Sequence, residues 1–160
     1  MVLTGMKTHF GIELQQAKTL IAHLQKAVAT NYALAINTLS CHWNVDDPRF
    51  FPLHEMFQSQ YEQLLEDGDK LAERIRQMGE KVPASLRIFS VNSELPSIDE
   101  NMPADQMIMA LASAREQIIH DFRKLSALAE DAHDYGLVDL LGGILRGHEK
   151  AVWMLRSHLR

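Results

Sequence analysis

A single cysteine, Cys41, leaves no partner for an internal disulfide, which fits a reducing compartment rather than a disulfide-stapled secreted scaffold. No stretch approaches the ~20 uninterrupted apolar residues of a membrane span. The opening Met1-Val2-Leu3-Thr4-Gly5-Met6-Lys7 lacks the apolar run of a signal peptide. These absences predict a cytoplasmic chain with no membrane partner. Positive charge is also short: 16 Lys and Arg stand against 21 Asp and Glu, a net charge of -5 with histidine neutral. General binding to a phosphate backbone needs a positive surface, so nucleic acid is disfavoured as a partner. Strand-like alternation, internal repeats and low-complexity tracts are absent as well.

What the chain does have is helical periodicity. Its 160 residues suffice for one domain with a substantial core. After a short N-terminal tail over 1–12, Leu14, Ala17, Leu20, Ile21, Leu24, Ala27, Val28, Leu34 and Ala35 recur at spacings of three and four, which predicts an amphipathic helix from Glu13 to His42. Asp46-Asp47-Pro48 supplies turn chemistry. A second helix is predicted from Pro52 to Met78, with proline in its first turn and Gly79 just past its end. Gly68 inside it reads as a weak point of roughly 1 kcal/mol against alanine. Glu80 to Asn101 carries Pro83 and Pro96 and reads as a long crossover, with a short helix over Ala84–Phe89. A third long helix is predicted from Pro103 to Asp131 and a fourth from Tyr135 to Leu159. In the fourth, Gly142, Gly143 and Gly147 suggest close helix approach, a crowded symmetry axis, or local weakness tolerated by packing. The predicted class is all-α: one domain, a four-helix bundle with a long crossover between the second and third long helices.

Eight histidines invite a search for ligand spacing. His54 and Gln58 are four apart, Asp69 and Glu73 are four apart, and eleven residues separate Gln58 from Asp69. At 3.6 residues per turn all four lie close to one stripe. His54 and Asp69, however, stand roughly 22 Å apart along the axis, whereas bonds from iron to its ligands are about 2 Å. One helix cannot bring both clusters to one metal. A second copy running antiparallel can, placing Asp69 and Glu73 opposite His54 in a two-fold dimer with two equivalent sites. His42, at the end of the first helix, would add a further ligand. Charges four apart on a helix are otherwise most often a solvated face.

The run His42-Trp43-Asn44-Val45, Phe50, Leu53-His54-Glu55-Met56-Phe57, Tyr61, Leu64 and Asp69-Lys70-Leu71-Ala72-Glu73-Arg74-Ile75 resembles the signature of the Dps family, the ferritin-like mini-ferritins of starved bacteria. His148-Glu149-Lys150-Ala151-Val152-Trp153-Met154-Leu155-Arg156 resembles the family's last helix. The resemblance implies a hollow shell of twelve subunits in the bacterial cytoplasm, built from two-fold dimers. In it Fe(II) is oxidised, typically by hydrogen peroxide and otherwise by oxygen, and stored as ferric mineral, which limits oxidative damage. It implies a ferroxidase site with metal ligands His42, His54 and Gln58 from one subunit and Asp69 and Glu73 from its partner. His42, His54, Asp69 and Glu73 carry the catalytic role.

Position 58 departs from the family pattern, which has Asp or Glu there. A neutral amide cannot bridge two cations, so each site is expected to hold one iron firmly and a second weakly, with zinc as a competitor. Trp43, beside a ligand, either takes up a stray oxidising equivalent or packs the interface. Glu130, Asp134 and Asp139 fall where the family places acidic residues around a three-fold pore, and an acidic funnel would concentrate Fe(II). A di-iron site within one bundle needs Glu-x-x-His on two helices, and only Glu130 to His133 supplies such a string. The alternative function is a DNA-condensing starvation protein with secondary iron chemistry. Against it, the segment before the first helix offers only Lys7, with His9 as a conditional charge, and the C-terminal end offers Arg156 and Arg160 without a basic tail. A scaffold that has lost its chemistry would fit Gln58 alone.

Overall fold

The computed structural model describes residues 7–159, so residues 1–6 of the expected tail and Arg160 lie outside the described part. Five helices follow in order: α1 (Leu14–Asn44), α2 (Phe50–Gln77), α3 (Leu86–Ser93), α4 (Ala104–Asp131) and α5 (Tyr135–Ser157). The four long ones match the predicted spans to within two residues at each end. α1 packs on α2 and α4 on α5, while α1 against α4 and α2 against α5 close the bundle. The core is one cluster drawn from all four, centred on side chains such as Leu24, Leu34, Phe57, Leu71, Leu111 and Leu141. Among the described residues no helix is long and apolar enough to cross a membrane.

The corner between α1 and α2 is built by Asp47 and Arg49. The Asp47 carboxylate accepts from the Arg49 backbone N–H at 2.8 Å and from its guanidinium at 2.7 Å. Hydrogen bonds from Arg49 hold this carboxyl well below its ordinary range, at about 2. Arg49 also donates to Asp105 at the start of α4 and to the His158 carbonyl beyond α5, both at 2.7 Å. One residue thus ties three helix ends together.

The short helix in the crossover lies later than the sequence predicts, over Leu86–Ser93 rather than Ala84–Phe89. Ser85 sets its start, because its hydroxyl accepts from the Ile88 N–H at 3.1 Å and so satisfies an otherwise free first-turn donor. α1 then stitches the crossover down. Tyr32 stacks on Phe89 with ring centroids 4.9 Å apart, and Asn37 donates to the Pro96 carbonyl at 2.9 Å.

The glycines read differently in three dimensions. Gly68 is not a mere weak point: a β-carbon there would lie 2.8 Å from Cε2 of Tyr32, so the missing side chain is what lets the Tyr32 ring rest on α2. In α5 the expected close approach is not found within the chain. A β-carbon at Gly142 or Gly143 would meet only the Arg146 guanidinium, at 3.8 Å, and one at Gly147 would meet nothing within 4 Å.

The described part of the N-terminal segment is folded back rather than free. Thr8 donates its N–H to the Ile12 carbonyl at 2.8 Å, Ile12 is buried, and Lys7 pairs with Glu13 at 3.6 Å.

Candidate metal centre

The end of α1 and the start of α2 bring His42 and His54 face to face, with ring centroids 3.8 Å apart and planes 18° from parallel. Nδ1 of each ring sits 2.8 Å from the other residue's backbone carbonyl oxygen. A carbonyl can only accept, so each Nδ1 must carry the proton. In the neutral imidazole that leaves each Nε2 with a free lone pair, the form in which histidine binds a metal. Spacing alone did not reveal this reciprocal lock. Its prerequisite, two histidines either side of a tight corner, was visible. Phe50 stacks on His54 at 5.0 Å and Tyr61 meets His42 edge-on at 5.4 Å, so the pair is walled by aromatic rings.

Gln58 follows one turn along α2, half-buried, and its Nε2 donates to Oε1 of Glu62 at 2.9 Å. The carboxylate absent at position 58 therefore reappears one turn further on, held by the amide in its place.

Asp69 and Glu73 are exposed near the other end of α2. They line an open depression with Tyr32, Arg76, Lys81 and Phe89. Burial, helped by the Asp69 charge, raises the Tyr32 phenol above its ordinary value. α2 runs unbroken between the two clusters, so the sequence estimate of roughly 22 Å from His54 to Asp69 stands. Among the described residues one chain gathers no group of three His, Cys, Asp or Glu able to hold a metal ion. The protomer carries two separate clusters, one of imidazole nitrogens and one of carboxylates.

The predicted pore residues divide. Glu130 and Asp139 are exposed, but Asp134 is buried. Its Oδ1 accepts from the Leu137 N–H at 2.9 Å, capping α5, and pairs with the Arg74 guanidinium. That oxygen is engaged within the protomer, whereas Glu130 and Asp139 are open to solvent. Trp43 is 68% exposed, and Phe50 and Phe51 are exposed as well.

Sequence reasoning missed a second polar group, inside the bundle. Arg115 of α4 and His148 of α5 are 3% and 1% exposed. Nη1 of Arg115 donates to Nδ1 of His148 at 3.1 Å, which fixes the proton of this ring on Nε2. Burial, then the Arg115 charge, lowers the His148 imidazole to about 3, and burial lowers Arg115 to about 10. His148 appeared in the sequence only as part of a family-like string. Nothing in its spacing marked it as buried beside a cation.

Comparison with known proteins agrees with the fold. The ferritin-like domain family matches residues 21–160. An uncharacterised low-temperature-induced protein of Nostoc sp. is 31% identical over 155 residues, covering 96% of this chain and 87% of that protein. The DNA protection during starvation protein 2 of Bacillus anthracis is 32% identical over 142 residues, covering 89% of this chain and 97% of that one. Among solved structures, the Dps protein of Vibrio cholerae O1 superposes with a TM-score of 0.91 at 26% identity, covering 96% and 97% of the two chains. It is described as a member of a broad superfamily of ferritin-like diiron-carboxylate proteins. The Dps protein of Bacillus brevis superposes with a TM-score of 0.88 at 27% identity, covering 91% and 98%. The chain belongs to the Dps family of ferritin-like proteins.

Proposed function

We propose that this protein oxidises Fe(II) at sites shared between two subunits and stores the product as ferric mineral inside a shell of twelve. Family membership supports iron handling in general. The observation that carries the finer reading is the reciprocal lock of His42 and His54, which holds two imidazoles in the metal-binding tautomer, while among the described residues no third His, Cys, Asp or Glu joins them. In this reading a partner subunit, antiparallel across a two-fold axis, supplies Asp69 and Glu73. The exposed Trp43, Phe50 and Phe51 beside the histidines offer the apolar surface such a contact would cover.

Fe(II) is the substrate. Two neutral nitrogens and two carboxylates form a mixed set suited to a redox-active first-row ion. The carboxylates offset the cation charge, and the Nδ1 to carbonyl bonds keep the Nε2 atoms available without a proton to displace. Each Fe(II) gives up one electron. With peroxide as oxidant, two such electrons break one O–O bond, leaving two hydroxide ions that ferric hydrolysis consumes. Gln58 contributes no charge, so each site holds one iron firmly and a second weakly, and Zn(II) competes for the firm position. DNA condensation is the weaker reading, because the net charge is -5 and Lys7 is the sole lysine before the first helix.

The test is rapid-mixing measurement of Fe(II) oxidation on iron-free assembled protein, with peroxide and with oxygen. The variants His54→Ala and Asp69→Asn should each slow the initial phase by about 100-fold or more, since even indirect supporting contacts at metal sites are worth 10–100-fold. Wild-type rates in both variants would overturn the assignment.

A further inference from the structure

We propose that an open pocket in the bundle wall, between α2, α4 and α5, binds a small oxyanion, of the phosphate or sulfate class, seated against Arg115. A cavity of about 180 Å³ lies there, lined by Gln60 and Gln63 of α2, Arg115 of α4, and Gly147 and Lys150 of α5. It is too small for a nucleotide or drug-sized ligand, whose pockets run about 300–1,000 Å³.

The chemistry of its wall is donor-rich. One guanidinium nitrogen of Arg115 is taken by His148, but Nε and Nη2 have no partner among the described residues. Those two N–H groups form one edge of the guanidinium fork, the edge that grips two oxygens of a carboxylate or phosphate side by side. Gln60, which lines the same pocket, is 5% exposed, and neither atom of its amide has a partner among the described residues. Lys150 is exposed and brings a second positive charge to the rim.

Asp67 is close enough for its charge to act on Arg115 but makes no hydrogen bond to it, so the idle donors stay open. Asp67 is buried and receives a hydrogen bond from Gln63 at 3.0 Å, not from Arg115. Burial pushes its carboxyl upward, toward the neutral form. Even fully ionised, Asp67 offsets only one of the two cations, Arg115 and Lys150. A buried charge without a partner is expensive, and a buried guanidinium with two idle donors is the arrangement an oxyanion satisfies. Gly147 has a structural meaning in this light. Its bare α-carbon faces open space beside the cavity rather than a packed neighbour.

The experiment is equilibrium dialysis of the iron-free, assembled protein against radiolabelled inorganic phosphate at constant ionic strength. Saturable binding of about one phosphate per subunit is expected, displaced by sulfate and not by equal chloride, because only the oxyanions match the fork. Gln60→Leu and Lys150→Ala should each weaken retention about tenfold or more, with helicity and assembly unchanged by circular dichroism and size-exclusion. Arg115→Met should abolish it, and if that variant does not fold the other two carry the test. No saturable retention, or retention unchanged in Gln60→Leu and Lys150→Ala, overturns the site. Retention lost in His54→Ala instead would place the phosphate at the iron site and overturn it equally.

Discussion

If the iron site is divided between subunits, two individually dead variants must rescue one another. One carries His42→Ala with His54→Ala and removes the nitrogen half-site. The other carries Asp69→Asn with Glu73→Gln and removes the carboxylate half-site. Both alter exposed or corner positions outside the central packed cluster around Leu24, Phe57 and Leu111. Each homogeneous assembly has only broken sites. In an assembly refolded from an equal mixture, about half of the two-fold contacts join unlike subunits. At such a contact one site takes its histidines from the acid variant and its carboxylates from the histidine variant, and is wild-type in every ligand. The other site is broken twice. About a quarter of all sites are therefore restored, and Fe(II) oxidation should return to about a quarter of the wild-type rate. The assay is peroxide-driven Fe(II) oxidation followed by ferric absorbance, with the two variants mixed before and after assembly. Mixing after assembly should give no rescue unless subunits exchange. A pre-assembly mixture no faster than its components would refute the shared site, because a site contained in one chain cannot be repaired in trans.

Other consequences concern single residues. Gly68→Ala gains up to about 1 kcal/mol of helix propensity but sets a methyl 2.8 Å from the Tyr32 ring, which Phe89 backs at 4.9 Å. Overpacking of about 1–3 kcal/mol outweighs the gain, so the variant should melt lower, and a melting temperature at or above wild type contradicts the packing account. His148 has a folded-state pKa of about 3 against an ordinary 6.5, so between those values the unfolded chain binds the extra proton and stability falls as pH falls. The loss approaches about 1.4 kcal/mol per pH unit from this residue alone. Denaturant melts from pH 7 to pH 4 should show it in wild type and a shallower slope in His148→Gln, which still offers Arg115 an acceptor; equal slopes would exclude His148 as the source. Gln58→Asp restores a carboxylate one turn from His54, and calorimetric Fe(II) titration should then show two tight irons per site where wild type shows one; an unchanged stoichiometry would remove the role given to position 58.

Helix positions were readable because burial repeats at the helical period, and Leu20, Leu24, Leu34 and Leu111 leave no strand alternative. The corner at Asp46-Asp47-Pro48 was readable as turn chemistry, but not the reach of Arg49 to Asp105 and His158, 56 and 109 positions away. The crossover helix was misplaced because the apolar residues Leu86, Ile88 and Phe89 suit several starting points, and the choice falls to the Ser85 cap. Gly68 and Gly147 show the same limit from two sides. A glycine in a helix signals that a side chain is missing, and only the neighbours say whether an aromatic ring or open space takes its place. For the metal centre the ligand types and the separation along α2 were both in the sequence, because rise per residue is fixed. The tautomer lock was not, since it depends on two backbone carbonyls meeting two side chains across a corner.

The buried cation also bears on where iron can go. A ferritin-like bundle can in principle hold a di-iron centre between its own helices, using inward carboxylates and histidines. Here the interior presents Arg115, beside a histidine held neutral and facing it with Nδ1. A doubly charged ion about 6 Å from that guanidinium would be repelled by roughly 5 kcal/mol at an effective dielectric near 20, which costs more than three powers of ten in affinity. Asp67, whose charge acts on Arg115, offsets part of this repulsion. On the proposed reading, ligands gather instead near the two ends of α2, and these are too far apart to act within one protomer. On the proposed reading, oxidation is then conditional on assembly. A lone subunit offers Fe(II) two nitrogens or two carboxylates but never both, so the metal meets a complete site only where a two-fold contact, and hence a shell wall, already exists.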